Sequence, residues 1–271
     1  MNYKKAWLIA IIIIGIWAVK AGVGQVRSIH PVSVKVKSKW GLGSTFNSAP
    51  ILRVNSGSQK LLALTFDDGP DERFTPMALD ILEKHNIKAT FFVIGQTAEA
   101  HPELVKRAAV QGHEIANHTY THPDLTTTSM AQTQEEIVRA GDVIEDITGK
   151  RPHYFRPPKG YYKPDTLILA AANGYSVALW TICVEHSSCV TVNDLAQRVI
   201  DAAEPGMIIL AHDGRLDRSR TMQALPIIIE ACQKQGYRFV TIDELINSRV
   251  QNQKLRSVSR FEFITGTLTQ N

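Results

Sequence analysis

Four short clusters of ionisable residues stand out along this chain. They are Asp67-Asp68 in TFDDGP, His118 and His122 in HTYTH, Arg156 in YFRPPKG and His212 in MIILAH. Two neutral imidazoles and one carboxylate form a facial donor set that holds a divalent cation and leaves positions open for water and substrate, the arrangement of a catalytic zinc site with three protein ligands. Adjacent Asp67 and Asp68 on a strand end point in different directions, so one carboxylate can bind the cation while the other holds the water. No Glu lies between the two histidines, which disfavours a helical His-Glu-x-x-His zinc motif. Both are placed on a loop that follows a strand. Each cluster alone is weak, since Asp-Asp-Gly-Pro also suits a turn or a helix cap and a lone Arg or strand-end His is commonly structural. The conjunction carries the reading.

The elements that must position these residues begin at Leu61. Short apolar runs (LLALTF, ATFFVIG, EIANH, YFRPP, SVALWTI, MIILAH, YRFVTI) alternate with helical periodicities over 76–85, 102–111, 130–147, 164–172, 193–203 and 220–235. Seven strands alternating with helices call for parallel βαβ units, in a barrel or a doubly wound sheet. Pro early in several helices and Gly112, Gly149, Gly174 and Gly236 after them punctuate the pattern. In such folds reacting groups gather at the carboxyl ends of strands. Four of the seven runs end in the ionisable clusters.

With 271 residues, 44% hydrophobic and 21% charged, the chain has the composition of one large globular domain; a disordered, collagen-like or disulfide-dense chain is excluded. The net charge of +4 is unevenly spread: residues 1–59 hold eight basic groups and no acid, leaving 22 basic against 26 acidic groups in the remainder. A basic arm on a mildly acidic domain suits anionic lipid or wall polymer and gives little support for nucleic acid. Lys4 and Lys5 precede an apolar run from Ala6 to Val19 that Lys20 closes. This is the layout of a secretory signal or, with Lys20 snorkelling, of an uncleaved membrane anchor. The expected organisation is a signal or anchor over 1–24, a basic spacer with one short strand over 25–59, the folded domain over 60–250 and a polar tail over 251–271. Such a chain is exported, either anchored in the cell membrane facing outward or secreted to the cell wall, and is expected to be a monomer.

TFDDGP, HTYTH, RPPKG and LAH, in this order between about Leu61 and Ile246, resemble the first, second, third and fifth motifs of the polysaccharide deacetylases of carbohydrate esterase family 4, the NodB-homology domain. The resemblance implies a distorted (β/α) barrel of fewer than eight strands, which suits the seven counted. It implies metal-dependent hydrolysis of the acetamide on an N-acetylated sugar polymer, peptidoglycan or another N-acetylglucosamine polymer, with zinc as the expected ion. By the same match Asp68, His118 and His122 are metal ligands, Asp67 is the general base, Arg156 its ion-pair partner and His212 the general acid. The Lys159 backbone N–H then helps hold the oxyanion, and Leu210 lines the acetyl pocket. Of the aromatic residues available to stack on sugars (Phe74, Tyr120, Tyr161, Tyr162, Trp180), only Tyr161 or Tyr162 is expected to face solvent, and Trp180 and Phe74 suit the core equally well.

Two departures stand out. Lys159 replaces a frequent Tyr, and the fourth motif reads Trp180 to Ser187 with Cys183 and His186 at the usual acidic positions. Glu185, the nearest carboxylate in sequence, or Asp213 beside the histidine is expected to partner His212 instead; without either, His212 is a less effective acid or the substrate differs. Cys183 and Cys189 invite a disulfide across the mouth of the site, or a soft metal site with His186; Cys232 is expected as a buried thiol on a helix. Competing functions are a non-catalytic sugar-binding module and a deacylase of another amide.

Overall fold

The computed structural model describes residues 33–35, 45–47 and 49–248. The expected signal or anchor segment, the polar tail and much of the spacer lie outside these residues. Among the described residues no helix is long and apolar enough to cross a membrane. Within the spacer two short strands, β1 (Ser33–Lys35) and β2 (Thr45–Asn47), pair antiparallel where one strand was expected.

The hub of the main sheet is β3 (Leu61–Asp67), joined by β4 (Thr90–Val93), β5 (Glu114–Asn117), β6 (Tyr154–Phe155), β7 (Ser176–Val177), β8 (Ile182–Cys183), β9 (Met207–His212) and β10 (Arg238–Val240). Their spatial order is β7-β6-β5-β4-β3-β9-β8, with β10 also on β3, and every ladder in this sheet is parallel. Flanking helices are α1 (Phe74–Lys84), α2 (Gly95–Ala100), α3 (Pro102–Val110), α4 (Met130–Thr148), α5 (Pro164–Ala172), α6 (Val192–Ala202) and α7 (Ser219–Lys234). Six match the expected periodicities to within two residues. The other, α2, is six residues long, too short for a helical period to register. The ends of α4 show the local logic: Ser129 and Gln132 form a capping box, and Gly149 closes the helix at φ 71°.

Strands β7 and β8 lie at opposite edges of the sheet yet are consecutive in the chain, separated only by residues 178–181. Five residue steps reach at most about 18 Å, so the sheet must curl until its edges approach. Residues 51–53 fill the seam: Ile51 bridges Ala178 and Arg53 bridges Met207. The Val54 side chain is buried and its N–H donates to the Gly206 carbonyl, so part of the stretch assigned by composition to the spacer is built into the sheet. The result is a curled half-barrel with helices outside. The single strand expected over SVALWTI is broken in two, because the carbonyls of Ala178 and Leu179 accept from the buried Arg156 guanidinium while Leu179 N–H turns to Ile51.

Side chains alternate across each strand, and the alternation sorts the core. Leu62, Leu64, Phe66, Phe91, Val93, Met207, Ile209 and Ala211 pack with the helices. Leu61, Ala63, Phe92, Ala116, Tyr154 and Ile208 form a second cluster on the inner face. A fully buried Leu or Phe of this kind contributes about 1.5–3 kcal/mol, which anchors the register on which the inner-face polar residues depend.

Candidate active site

The same parity that sends Ala63 and Ile208 inward continues to Thr65 and Asp67 on β3, His118 after β5, Arg156 after β6, and Leu210 and His212 on β9. Register completes the convergence: Asp67 pairs with His212 across β3 and β9, and Asn117 with Phe155 across β5 and β6. Strand alternation predicts that Asp68 faces the other way. The structure differs: its backbone is left-handed, φ 75°, which turns its carboxylate back toward its neighbour's. Asp67 Oδ2 and Asp68 Oδ1 both lie 3.7 Å from His118 Nε2. Gly214 permits this turn, since a Cβ there would stand 2.2 Å from the Asp68 carbonyl oxygen.

Two further left-handed residues, Thr119 (φ 69°) and His122 (φ 61°), coil the loop after β5. They bring the rings of His118 and His122 to a 5.0 Å centroid separation. His122 Nε2 is 3.1 Å from Asp68 Oδ1, and donor atoms of Asp68, His118 and His122 all lie within 4.8 Å of one another. His118 Nδ1 lies 2.8 Å from the Arg156 carbonyl oxygen; a proton on Nδ1 satisfies that carbonyl and leaves the Nε2 lone pair for a cation, as metal-binding histidines require. Burial lowers the pKa of His118, which favours the neutral ligand form. Burial alone would raise Asp68, but the His122 hydrogen bond and the nearby imidazoles hold it at about 2. The donor set therefore fits a divalent cation.

Asp67 is held by Arg156, whose fully buried guanidinium donates from Nη1 to Asp67 Oδ1 at 2.6 Å and to Thr65 Oγ1 at 2.9 Å. Its Nε and Nη2 are taken by the Ala178 and Leu179 carbonyls, and its plane covers Phe92 at 3.9 Å. A planar fork so fully engaged fixes one carboxylate orientation.

Across the site, His212 Nδ1 is 3.0 Å from Glu185 Oε2. Glu185 is itself oriented by Thr221 Oγ1 and the His212 N–H. Burial would lower the His212 pKa, but hydrogen bonds from its ring to Cys183 and Glu185 and the Glu185 charge carry it up to about 10. Glu185 is lowered by the same imidazole against the opposing effect of its burial. The other candidate, Asp213, is turned away: Thr75 donates to its Oδ2 at 2.6 Å, and burial together with the Asp67 and Asp68 charges raises it to about 7.

Lys159 is exposed and left-handed (φ 58°) in the turn Pro158–Gly160, Leu210 is buried on the inner face of β9, and Tyr161 is 55% exposed. Tyr162 and Trp180 are half-buried, and Phe74 lies in the core. Tyr120 is withdrawn from any sugar: it is buried beneath the Arg139 guanidinium with its hydroxyl on Glu99. Cys183 and Cys189 are free thiols, with no disulfide between them. His186 bonds to Ser188 in solvent, so Cys183, His186 and Cys189 do not form a metal site; Cys183 groups instead with Glu185 and His212. Cys232 is buried in α7, and burial pushes its thiol up to about 11. Sequence reasoning missed Arg218, 3.3 Å from Asp68 Oδ2, and Arg215, whose Nη1 contacts His122 Nδ1. Both sit in the polar run GRLDRSR, which carries no periodic signal.

The family described as polysaccharide deacetylase matches residues 55–178. A peptidoglycan-N-acetylglucosamine deacetylase of Bacillus cereus is 39% identical over 191 residues, 70% of this chain and 89% of that protein. The crystal structure of a peptidoglycan N-acetylglucosamine deacetylase with a bound N-oxidanyl-benzamide compound superposes with a TM-score of 0.70 at 34% identity, covering 73% of this chain and 93% of the other. A pseudoenzyme of the same family from Bacillus anthracis superposes nearly as well, with a TM-score of 0.69 at 29% identity over 74% of this chain and 70% of the other. The likeness extends well beyond the short motifs, over about seven-tenths of the chain: this chain belongs to the polysaccharide deacetylases of carbohydrate esterase family 4, the NodB-homology family.

Proposed function

We infer that the protein is a metal-dependent deacetylase of N-acetylated sugar polymers of the peptidoglycan or N-acetylglucosamine type. The observation that carries this reading is the donor cluster of Asp68, His118 and His122, with Asp67 and His212 paired in register beside it. Because a peptidoglycan deacetylase and a pseudoenzyme share this fold, the fold by itself does not separate catalysis from sugar binding. Keeping a buried base and a partnered acid at the cluster favours catalysis.

We assign the site residues as follows. A divalent cation on Asp68, His118 and His122, with zinc the best match to two imidazoles and a carboxylate, would supply Lewis acidity toward an acetamide oxygen and make water a better nucleophile. Asp67, kept in one orientation by Arg156, takes the proton from the attacking water. The C–N bond breaks as His212, protonated because its folded pKa stands near 10, gives a proton to the departing nitrogen, so that acetate and a free amine leave. Positioned acid and base groups of this kind each contribute about 10²- to 10⁴-fold in rate. Lys159 N–H adds a donor to the oxyanion, Leu210 an apolar wall to the methyl, and Tyr161 an exposed face to a sugar ring. A cation held by His122 Nε2 would favour a proton on Nδ1, and the exposed Arg215 guanidinium, itself a donor, would then have to give up its contact with that nitrogen. The basic arm and apolar N-terminal run support export and retention at the anionic wall, by anchor or by charge.

Acetate release from N-acetyl-chito-oligomers and purified peptidoglycan, with and without chelator, tests the reading. Chelator-sensitive acetate is expected. Tight oligomer binding without acetate, at full metal occupancy, would move the chain to the non-catalytic class.

A further inference from the structure

A second set of donors lies behind the candidate acid. Cys183 on β8, Glu185 in the loop that follows and His212 on β9 place one sulfur, one oxygen and one nitrogen within 4.8 Å of one another. Cys183 Sγ is 3.3 Å from Glu185 Oε2, and His212 Nδ1 is 3.0 Å from the same oxygen. With zinc–sulfur bonds near 2.3 Å and zinc–nitrogen or –oxygen bonds near 2.0–2.1 Å, the edge of a tetrahedral site is roughly 3.3–3.5 Å. Two of the three donor edges are thus already close to that length. The Glu185 and His212 side chains are 25% and 20% exposed, so solvent reaches the group and a fourth position can hold water. Strand pairing sets the geometry, since Cys183 sits opposite Leu210, two residues before His212, in the β8–β9 ladder.

We propose that Cys183, Glu185 and His212 form a second, inhibitory binding site for a thiophilic divalent cation such as zinc, cadmium or cobalt. The Asp68, His118 and His122 cluster has only nitrogen and oxygen donors. The second site adds a thiolate, which selects these ions over magnesium or calcium. Binding replaces two protons, the one on the thiol and the one His212 Nδ1 shares with Glu185, and both are released to solvent. A cation on Nδ1 holds the ring as a bound neutral imidazole, whose remaining N–H is a far weaker acid than an imidazolium. Turnover then stops while the first cation stays in place. Only this inhibitory consequence rests on the acid role proposed for His212; the cation site itself does not.

The full-length, metal-free protein is titrated with cobalt(II) and its absorption followed. A thiolate-to-cobalt charge-transfer band is expected to grow with the second equivalent and to be missing in Cys183→Ser, which still takes up the first. In parallel, acetate release by the protein carrying one zinc equivalent is expected to fall at least tenfold with added zinc, normalised to each variant's own uninhibited rate. The inhibitory midpoint should move at least tenfold higher in Cys183→Ser. A second equivalent bound without the band, a band that survives Cys183→Ser, or identical zinc inhibition in both proteins would overturn the proposal. If no acetate is released under any condition, the proposed activity fails and the cobalt band still decides the site.

Discussion

Both ends of the half-barrel bury titratable groups, and they resolve the cost in opposite ways. At the carboxyl ends of the strands opposite charges are brought together, so the buried Asp68 is held at about 2, and the half-buried Glu185 is lowered while His212 rises to about 10. At the amino ends, beside a cleft of about 580 Å³ lined in part by His113, Glu114 and Asp243, burial prevails. It raises Glu114 to about 7, lowers His113 to about 4 and raises Tyr154. The paired groups at one end keep their charges, whereas those at the other, like the buried His118 imidazole, discharge them. A buried ionisable group is therefore no sign of chemistry by itself; the direction of its shift and the identity of its partner distinguish the two cases. Asp213 sits at the upper end and behaves like the lower one, neutralised by burial beside Thr75.

Carboxamide substitutions at the two ends put the contrast to the test. The largest effect is expected for Asp67→Asn, which keeps the shape and removes the base: acetate release should fall about 10²- to 10⁴-fold while metal content by elemental analysis is unchanged. Loss of the metal instead would mean that Asp67 and Asp68 have exchanged roles. Glu185→Gln is expected to cost about 10- to 100-fold, the usual range for a group that orients an imidazole. It should also shift the alkaline limb of the pH–rate profile to lower pH, because the carboxylate that holds the proton on His212 is gone. An unmoved limb would remove Glu185 as the partner. The smallest effect is expected at the lower end. The folded pKa of Glu114, about 7, stands above its ordinary 4.5, so its contribution to stability is complete below pH 4.5 and is lost as the pH rises through 7. Glu114→Gln should flatten denaturant-derived stability across that window, gain on the order of 1 kcal/mol above it, and leave acetate release within about twofold. An activity loss matching that of Glu185→Gln would erase the distinction between the ends.

Much of the candidate site was legible because each cluster is contiguous and sits at the end of an apolar run whose alternation announces which face it joins. The order of parallel strands then brings TFDD, the loop after EIANH, RPPKG and LAH to one end without further information. Less legible was whatever depended on a single backbone angle or on chain closure. Strand alternation separates Asp67 from Asp68, yet the left-handed Asp68 brings both carboxylates to His118. SVALWTI reads as one strand, yet Arg156 draws two of its carbonyls inward and breaks it. Arg215 and Arg218 lie in a loop without period, so nothing local announces their approach to His122 and Asp68.

The amino-acid sequence by itself determined the parallel strand-and-helix plan, the end of the sheet at which chemistry gathers and the residue types present there. These follow from alternation, helical period and motif order, all of which are local. Only the tertiary structure decided that Glu185 rather than Asp213 partners His212, that Cys183 joins them, and that the sheet edges meet through residues 51–53. Those outcomes arise where strands distant in sequence are packed side by side, and the separation of two side chains is then set by register and curl, which no single stretch of chain encodes.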